Sequence, residues 1–316
     1  MKIQLRPTQL PEDLPVLATL RNLVESEPIT AEELGRRMER TPPDQITHRI
    51  SAVDEEGRMV GMGVLFRTPV DQAGRWFMVV RVLPEVRGCG VGSTLLEALE
   101  TWCHEQGGMV LGTEVREADD HSVAFAKHRG YQTDRHIFES TLDLATFDET
   151  RFAGTVEGLE AEGIRIVSLA DVDDQEAWAR KVHALVSRTV FDIPGVNMAE
   201  APDYSTWSQW AMDEEACPRD CFLMALDGDR VAGVTFLEHN RDTGAMYTGH
   251  TSVDREYRGR KLALALKLAS VATAQRYGAP YMRTNNDAQN APMLAVNRKM
   301  GYRPEPGFFL VEKRLG

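Results

Sequence analysis

Hydrophobic and polar positions follow the same order of elements twice along the chain. Apolar residues at every second position predict strands, and apolar residues every three to four positions predict amphipathic helices. In the first half, the predicted strands cover residues 2–6, 48–53, 59–67, 75–82, 109–115 and 135–142, and the predicted helices cover 11–25, 30–40, 92–106 and 120–129. In the second half, the strands cover 164–168, 221–226, 230–239, 245–253, 281–285 and 308–314, and the helices cover 175–190, 203–215, 261–277 and 290–300.

The two halves also match in sequence at a constant spacing. The stretch "VRGCGVGSTLLEALETW" corresponds to "YRGRKLALALKLASVAT", and Arg87 and Arg258 stand 171 positions apart, as do Gly130 and Gly301. A fixed offset shared by several motifs indicates a duplicated domain. We therefore predict an N-terminal domain over 1–145 and a C-terminal domain over 163–316. The linker over 146–162 is predicted to be helical, since it contains neither Pro nor a Ser/Gly run.

Composition and charge narrow the class of protein. Of the 316 residues, 42% are hydrophobic and 27% are charged, and the formal net charge is −12. Such a charge argues against nucleic acid as a partner, because phosphate backbones need clustered Lys and Arg. We see no apolar run long enough for a membrane helix and no signal-peptide core, so we expect a cytoplasmic protein without a membrane partner. The four cysteines predict no metal site, and a monomer and a homodimer both remain open.

The glycine-rich stretch from Arg87 to Gly92, "RGCGVG", separates a predicted strand from a predicted helix. A nucleoside-triphosphate loop would need Gly-Lys-Ser/Thr at the helix start, and this stretch lacks the lysine. A dinucleotide fingerprint would need a wider glycine spacing in an early βαβ unit. Small residues at a helix start nevertheless suit an anion, because consecutive backbone N–H groups can approach it without interference from Cβ atoms.

A basic residue followed by closely spaced glycines resembles the pyrophosphate loop of the GNAT acyl-CoA N-acyltransferases. With its altered copy "RGRKLA" and a Gly-Tyr pair in each half, the chain resembles a tandem GNAT protein over nearly its whole length. The resemblance implies an α/β fold of two tandem domains, each a splayed mixed sheet flanked by helices. Acetyl-CoA would lie between the fourth and fifth strands. Its acetyl group would pass directly to a primary amine of a small molecule or peptide.

Carried over position by position, the resemblance implies acetyl-CoA contacts in both copies. In copy one they are Val82, Arg87, Gly88, Cys89, Gly90, Val91, Gly92 and Ser93. In copy two they are Val253, Arg258, Gly259, Arg260, Lys261, Leu262, Ala263 and Asn290. Copy two departs from the pattern at Lys261, where glycine is usual, and copy one departs from it at Asp119, where copy two keeps Asn290.

The candidate catalytic groups differ between the copies. In copy one the best base is Glu114, although a surface or salt-bridged glutamate would look the same. In copy two, His250 is a base candidate because of its near-neutral intrinsic pKa, Glu238 could act through water, and Tyr247 could line the pocket. A lone histidine in a strand more often makes a structural hydrogen bond.

The usual tyrosine acid of the family is replaced by Ala126 in copy one and by Asn297 in copy two. We expect acetyl-CoA contact in both copies and slightly favour copy two for the chemistry. A non-catalytic acyl-CoA-binding or regulatory module is the alternative.

Overall fold

The computed structural model describes residues 2–25, 28–41, 44–196 and 198–316, apart from the side chain of Trp210. The strands are β1 Gln4–Pro7, β2 Ile46–Val53, β3 Met59–Arg67, β4 Arg75–Val82, β5 Val110–Arg116, β6 Gln132–Asp143, β7 Ile164–Ser168, β8 Phe222–Asp227, β9 Arg230–His239, β10 Met246–Val253, β11 Tyr281–Asp287, β12 Arg303–Pro304 and β13 Phe308–Arg314. The helices are α1 Leu14–Asn22, α2 Ala31–Glu39, α3 Val91–Glu105, α4 Asp120–His128, α5 Thr155–Ala161, α6 Gln175–Thr189, α7 Tyr204–Ala211, α8 Leu262–Arg276 and α9 Ala291–Met300.

The predicted mixed α/β class is confirmed, and most boundaries agree within a few residues. Helix α1 is shorter than its predicted range of 11–25. The chain turns after Asn22, whose side-chain amide exchanges two hydrogen bonds with the backbone of Ile29. Helix α7 likewise ends at Ala211, earlier than predicted. All helices in the described ranges are too short or too polar to cross a bilayer.

Two compact units divide the chain, and each contains a strand from the other half of the sequence. Unit 1 comprises Met1–His136, Asn197–Glu200 and Phe308–Gly316, and unit 2 comprises Ile137–Val196 and Ala201–Gly307. In unit 1, β13 pairs antiparallel with β5, and in unit 2, β6 pairs antiparallel with β11. The copy boundaries that the sequence repeat suggested, near residues 145 and 163, remain a prediction.

The sheet of unit 1 has the strand order β1-β2-β3-β4-β5-β13. Its strands are antiparallel except for the parallel pair β4 and β5. One face packs against α3, where Leu65 and Trp76 of the sheet join Leu95 and Leu99 in a buried core. The opposite face meets α1 over a smaller apolar cluster that includes Leu20. The second face is therefore only partly covered.

The sheet of unit 2 has the order β6-β11-β10-β9-β8-β7, again with one parallel pair, β10 and β11. A register shift interrupts the β9–β10 ladder between Thr248 and His250, so Gly249 forms a β-bulge. The core of this unit is built around the fully buried side chains of Trp207 and Phe222.

The start of α8 has the same left-handed backbone conformation as the start of α3, but a different residue adopts it. Gly90, the residue before α3, has φ = 89°, and Lys261, its counterpart before α8, has φ = 66°. Glycine adopts this left-handed conformation without steric cost, whereas a side chain with a Cβ does so at a cost of roughly 1–2 kcal/mol. Unit 2 therefore carries backbone strain at the residue that replaces the loop glycine.

We predict that Lys261→Gly increases the free energy of unfolding of unit 2 by about 1 kcal/mol, because it removes this strain. Denaturant titration measures the change, and Lys261→Ala is the matched control because it removes the charge and keeps the Cβ. Equal stabilisation by both substitutions would show that the charge of the lysine, and not its conformation, is responsible.

Candidate active site

The parallel strands β4 and β5 of unit 1 separate part of the way along their length. Their pairing runs from Arg75 opposite Val110 to Met78 opposite Thr113 and stops there. A cavity of about 380 Å³ opens where they part. Its lining comes from the end of α1, the second half of β4, the glycine loop, β5, α4 and the first residue of β13. Backbone groups of β4 beyond Met78 thus face a space in place of a neighbouring strand.

The glycine loop forms one end of this cavity. Gly88 and Gly90 have φ angles of 77° and 89°, and a Cβ added to either would meet nothing within 4 Å. Glycine is needed there for its backbone conformation, since the surrounding space is open. The amides that follow open the 15-residue helix α3 and have no acceptor within it. The loop therefore presents N–H donors and a helix N-terminus to the cavity, an arrangement that suits a diphosphate.

The sequence-predicted contacts of copy one lie at this end of the cavity with two exceptions. The lining includes Val82, Arg87, Gly88, Gly90, Gly92 and Ser93. Cys89 is exposed, and Val91 is buried beneath the helix start in the α3 core. The Arg87 guanidinium donates to the backbone oxygen of Val82 at 3.2 Å. These residues fit the diphosphate of an acyl-CoA.

Glu114 lies where β4 and β5 separate, one residue beyond the last paired position of β5. Its side chain is exposed at the cavity wall, while protein atoms around the carboxylate displace part of its water. This partial desolvation raises the pKa of Glu114 to about 7; the nearby Glu25 adds to the rise, and Arg81 and Arg116 oppose it. A carboxylate with a pKa near neutrality is suited to accept a proton at physiological pH.

Two arginines anchor the segment after α1 to β4 and to β5, the strand that carries Glu114. The Arg81 guanidinium donates to the Glu25 carboxylate at 2.6 Å, and Arg116 donates to the backbone oxygen of Val24. Our sequence prediction missed these residues, because arginines on a strand give no motif. It also missed Phe308, which lines the cavity from β13, because the exchange of strands cannot be deduced from the repeat.

The helix α4 side of the cavity carries structural groups. Asp119 accepts a hydrogen bond from the Ser122 amide at 3.0 Å, as the N-cap of α4. Asn290 caps α9 in unit 2 in the same way, from the Met293 amide. Tyr131 lines the cavity, but its hydroxyl donates to Glu100 at 3.0 Å.

In unit 2 the corresponding basic loop is held more closely by carboxylates of the same unit than in unit 1, where Arg87 lies 3.9 Å from the Asp119 carboxylate. Asp192 accepts from both Arg255 and Arg258, and these two arginines lower its pKa to about 2. Arg260 forms an ion pair with Glu162. A diphosphate bound at this loop would have to compete with both carboxylates.

The interior beside the unit 2 loop also differs from that of unit 1. Leu96 and Ala126, which line the unit 1 cavity, correspond to Lys267 and Asn297, both of which are buried. The Lys267 ammonium lies 5.0 Å from the centre of the Tyr302 ring, and burial lowers its pKa to about 8. The Asn297 side chain donates to Asn286 at 2.6 Å. Polar groups therefore occupy positions that are apolar in unit 1.

The three catalytic candidates of copy two lie close together on β9 and β10. Tyr247 pairs with Glu238 across the ladder, and the Glu238 carboxylate lies over the Gly249 bulge. Burial, above all, raises the pKa of Tyr247. The His250 ring stacks on Phe236 with centroids 5.2 Å apart, and its Nε2 atom is buried without a hydrogen-bond partner in the described part of the chain. Burial lowers the pKa of His250 to about 4.

The remaining predicted contacts of copy two surround the start of α8. Val253 ends β10, the loop carries Gly259 with a φ of 80°, Leu262 is buried and Ala263 lies in the first turn of α8. No group of three His, Cys, Asp or Glu side chains in the described ranges is arranged to hold a metal ion.

Comparison with known proteins agrees with this architecture. The model of the acetyltransferase (GNAT) family matches residues 17–131 and 189–302, so the chain belongs to that family. A tandem GNAT protein from the clavulanic acid biosynthesis pathway has a similar structure, with a TM-score of 0.79 and 22% identity, over 100% of this chain and 99% of that one. A GCN5-related N-acetyltransferase from Sphaerobacter thermophilus matches with a TM-score of 0.72 and 19% identity. The match covers 99% of this chain and 96% of that one.

A third similar structure is the glucosamine N-acetyltransferase region of a fungal multi-domain β-N-acetylglucosaminidase. It has a TM-score of 0.74 and 16% identity, over 99% of this chain and 38% of that one. No curated protein matches the chain by sequence. The predicted tandem GNAT fold is therefore confirmed. Sequence identities this low support a shared fold and not a shared activity.

The buried His250 predicts a loss of stability in acid. Its folded-state pKa of about 4 lies below the ordinary 6.5, so protonation favours the unfolded state. The stabilising contribution is complete above pH 6.5 and falls as the pH drops towards 4. Between pH 7 and pH 5 we expect a loss of about 2 kcal/mol that His250→Phe abolishes. Denaturant titrations at both pH values test this, and an unchanged loss in the variant would contradict it.

Proposed function

We propose that unit 1 transfers an acyl group, most simply acetyl, from acyl-CoA to a primary amine, with Glu114 as the base. The observation that carries the proposal is the cavity between β4 and β5, which has the glycine loop at one end and Glu114 where the strands part. This choice departs from the slight preference for copy two that the sequence suggested. It rests on the open cavity of unit 1 and on the engaged loop of unit 2.

The residues divide the work along the cavity. Amides from Gly88 to Ser93 would hold the diphosphate, and the free edge of β4 would hold the pantetheine and donate to the thioester oxygen. Glu114 would take a proton from the incoming ammonium, directly or through one water. The amine nitrogen then bonds to the acyl carbon, and the bond from that carbon to sulfur breaks. The proton that remains on the nitrogen passes through solvent to the departing CoA sulfur, since the Tyr131 hydroxyl already donates to Glu100.

The features of unit 2 favour a non-catalytic role for it. Its loop arginines are paired with Asp192 and Glu162, and buried polar groups occupy the positions that line the cavity in unit 1. We propose that acetyl-CoA binds tightly only in unit 1. The contacts predicted for Arg258–Ala263 would then be weak or unused.

Loss of the base should slow transfer and leave binding intact. We expect Glu114→Gln to lower kcat/KM by about a hundredfold or more, with unchanged affinity for acetyl-CoA. The wild-type kcat/KM should fall as the pH drops below about 7, where Glu114 becomes protonated. The kcat/KM of the variant should not show this fall. Steady-state rates with a panel of amines test both, and the exposed Glu105→Gln is the control. A variant as active as the wild type would exclude Glu114 as the base.

The assignment to unit 1 predicts unequal effects of two matched substitutions. Gly92→Glu and Ala263→Glu each place a carboxylate in the first turn of the helix after the loop. The nearest atoms to a Cβ at Gly92 are 3.8 Å away, so that variant should fold. We expect Gly92→Glu to weaken acetyl-CoA binding by at least roughly tenfold, by repulsion of the diphosphate, and Ala263→Glu to have no effect. Calorimetry measures both affinities, and the opposite pattern would move the site to unit 2.

A further inference from the structure

The half-covered face of the unit 1 sheet carries a row of side chains that ends at Glu114. On β2, the ring of His48 stacks on Trp102 of α3, and Ile50 belongs to the α3 core, so Arg49 between them projects from the opposite face. On β5, Leu111 and Val115 belong to the same core, so Glu114 also projects from the opposite face. Arg49 and Glu114 therefore share one face of the sheet.

The register of the strands places the two residues at opposite ends of that row. Arg49 pairs with Val64, and Val64 pairs with Val79, which is level with Glu114 just beyond the last β4–β5 pair. Three strand spacings of about 4.8 Å put the Cα atoms of Arg49 and Glu114 at least about 15 Å apart, because β4 and β5 have begun to separate at this level.

The floor between the two charged ends is apolar. It consists of Val64 and Val79 and, in the next row, of Phe66 and Phe77, whose ring centres are 5.2 Å apart. All four side chains are only partly buried, and Val64 and Val79 lie at the edge of the apolar cluster under α1. Val79 also lines the cavity that holds Glu114, so the floor is continuous with the proposed site.

The other arginines of this face have hydrogen-bond or ion-pair partners, whereas Arg49 has none in the described ranges. Arg75 is paired with Glu312, Arg81 with Glu25, and Arg116 donates to a backbone oxygen. For Arg49, no hydrogen bond or ion pair of the guanidinium occurs in the described ranges, and burial is the sole influence on its pKa, which it lowers. A half-buried guanidinium without an anion favours a ligand that brings one.

We propose that the acceptor is an amine that also carries an anionic group, a carboxylate or a phosphate, on an apolar spacer. Arg49 binds the anionic group, the spacer lies on Val64, Val79 and the two phenylalanines, and the amine reaches Glu114. This inference rests on the proposed function of unit 1 and specifies the class of its acceptor. Arg49 is then the residue that selects the acceptor, without a part in proton transfer.

The test compares two probes of equal chain length, aminohexanoate and hexylamine, which differ in the carboxylate. With the CoA-loaded full chain, we expect aminohexanoate to bind more tightly than hexylamine. Arg49→Met should weaken aminohexanoate binding by roughly ten- to hundredfold, the value of a charge-assisted hydrogen bond, and leave hexylamine unchanged. The control is Arg67→Met, because Arg67 lies on the same sheet over the Trp76 ring, on the face that packs against α3.

Calorimetry measures binding directly, and acetyl transfer to the same probes supplies KM and kcat. An effect of Arg49→Met on the KM of aminohexanoate alone supports the assignment. Equal binding of both probes by the wild type, or an Arg49→Met variant that retains the preference, overturns it. Efficient transfer to hexylamine with no role for Arg49 would leave the proposed function standing and remove only the acceptor class. Absence of transfer to any amine would remove the function, while the calorimetric preference would still decide the role of Arg49.

Discussion

Unit 1 depends on the point where β4 and β5 part. Up to Met78 and Thr113 the two strands satisfy each other's backbone groups, and beyond that point β4 has a free edge facing a cavity. The gap supplies backbone donors and acceptors that a ligand can pair with, a space for that ligand, and a position for Glu114 on the cavity wall. Arg81 and Arg116 anchor the segment after α1 there, so that this segment forms part of the same wall.

The two units show how one architecture can keep its fold while its site changes. Both have a mixed sheet with one short parallel pairing and a helix that starts after a basic loop. Unit 2 nevertheless has a strained lysine in place of a loop glycine, arginines paired with its own carboxylates, and a buried lysine where unit 1 has a leucine. The paired arginines and the buried polar side chains leave unit 2 less suited than unit 1 to a large anionic ligand. Together they favour a structural role for unit 2.

Much of the fold was predictable from the sequence because it depends on periodicity and on a repeated loop. The limits of nearly every strand and helix follow from apolar spacing, and the glycines of the first loop were assigned from their need for small side chains. The exchange of β6 and β13 was not predictable, since either strand satisfies the same local pattern. The environment of Glu114 was equally hidden, because its pKa depends on Glu25, Arg81 and Arg116, which are remote from it in sequence or carry no motif. His250 fitted the expectation for a base by type and position, yet its burial could be known only from the packing of Phe236 and its neighbours.

The most direct test of the central claim is a crystal structure of the full chain with a hydrolytically inert acetyl-CoA analogue. Our account predicts the diphosphate on the amides of Gly88 to Ser93 in unit 1, the pantetheine along the free edge of β4, and the acetyl carbonyl within reach of Glu114 directly or through one water. An analogue bound at the start of α8 in unit 2, or one whose acetyl group points away from Glu114, would contradict it.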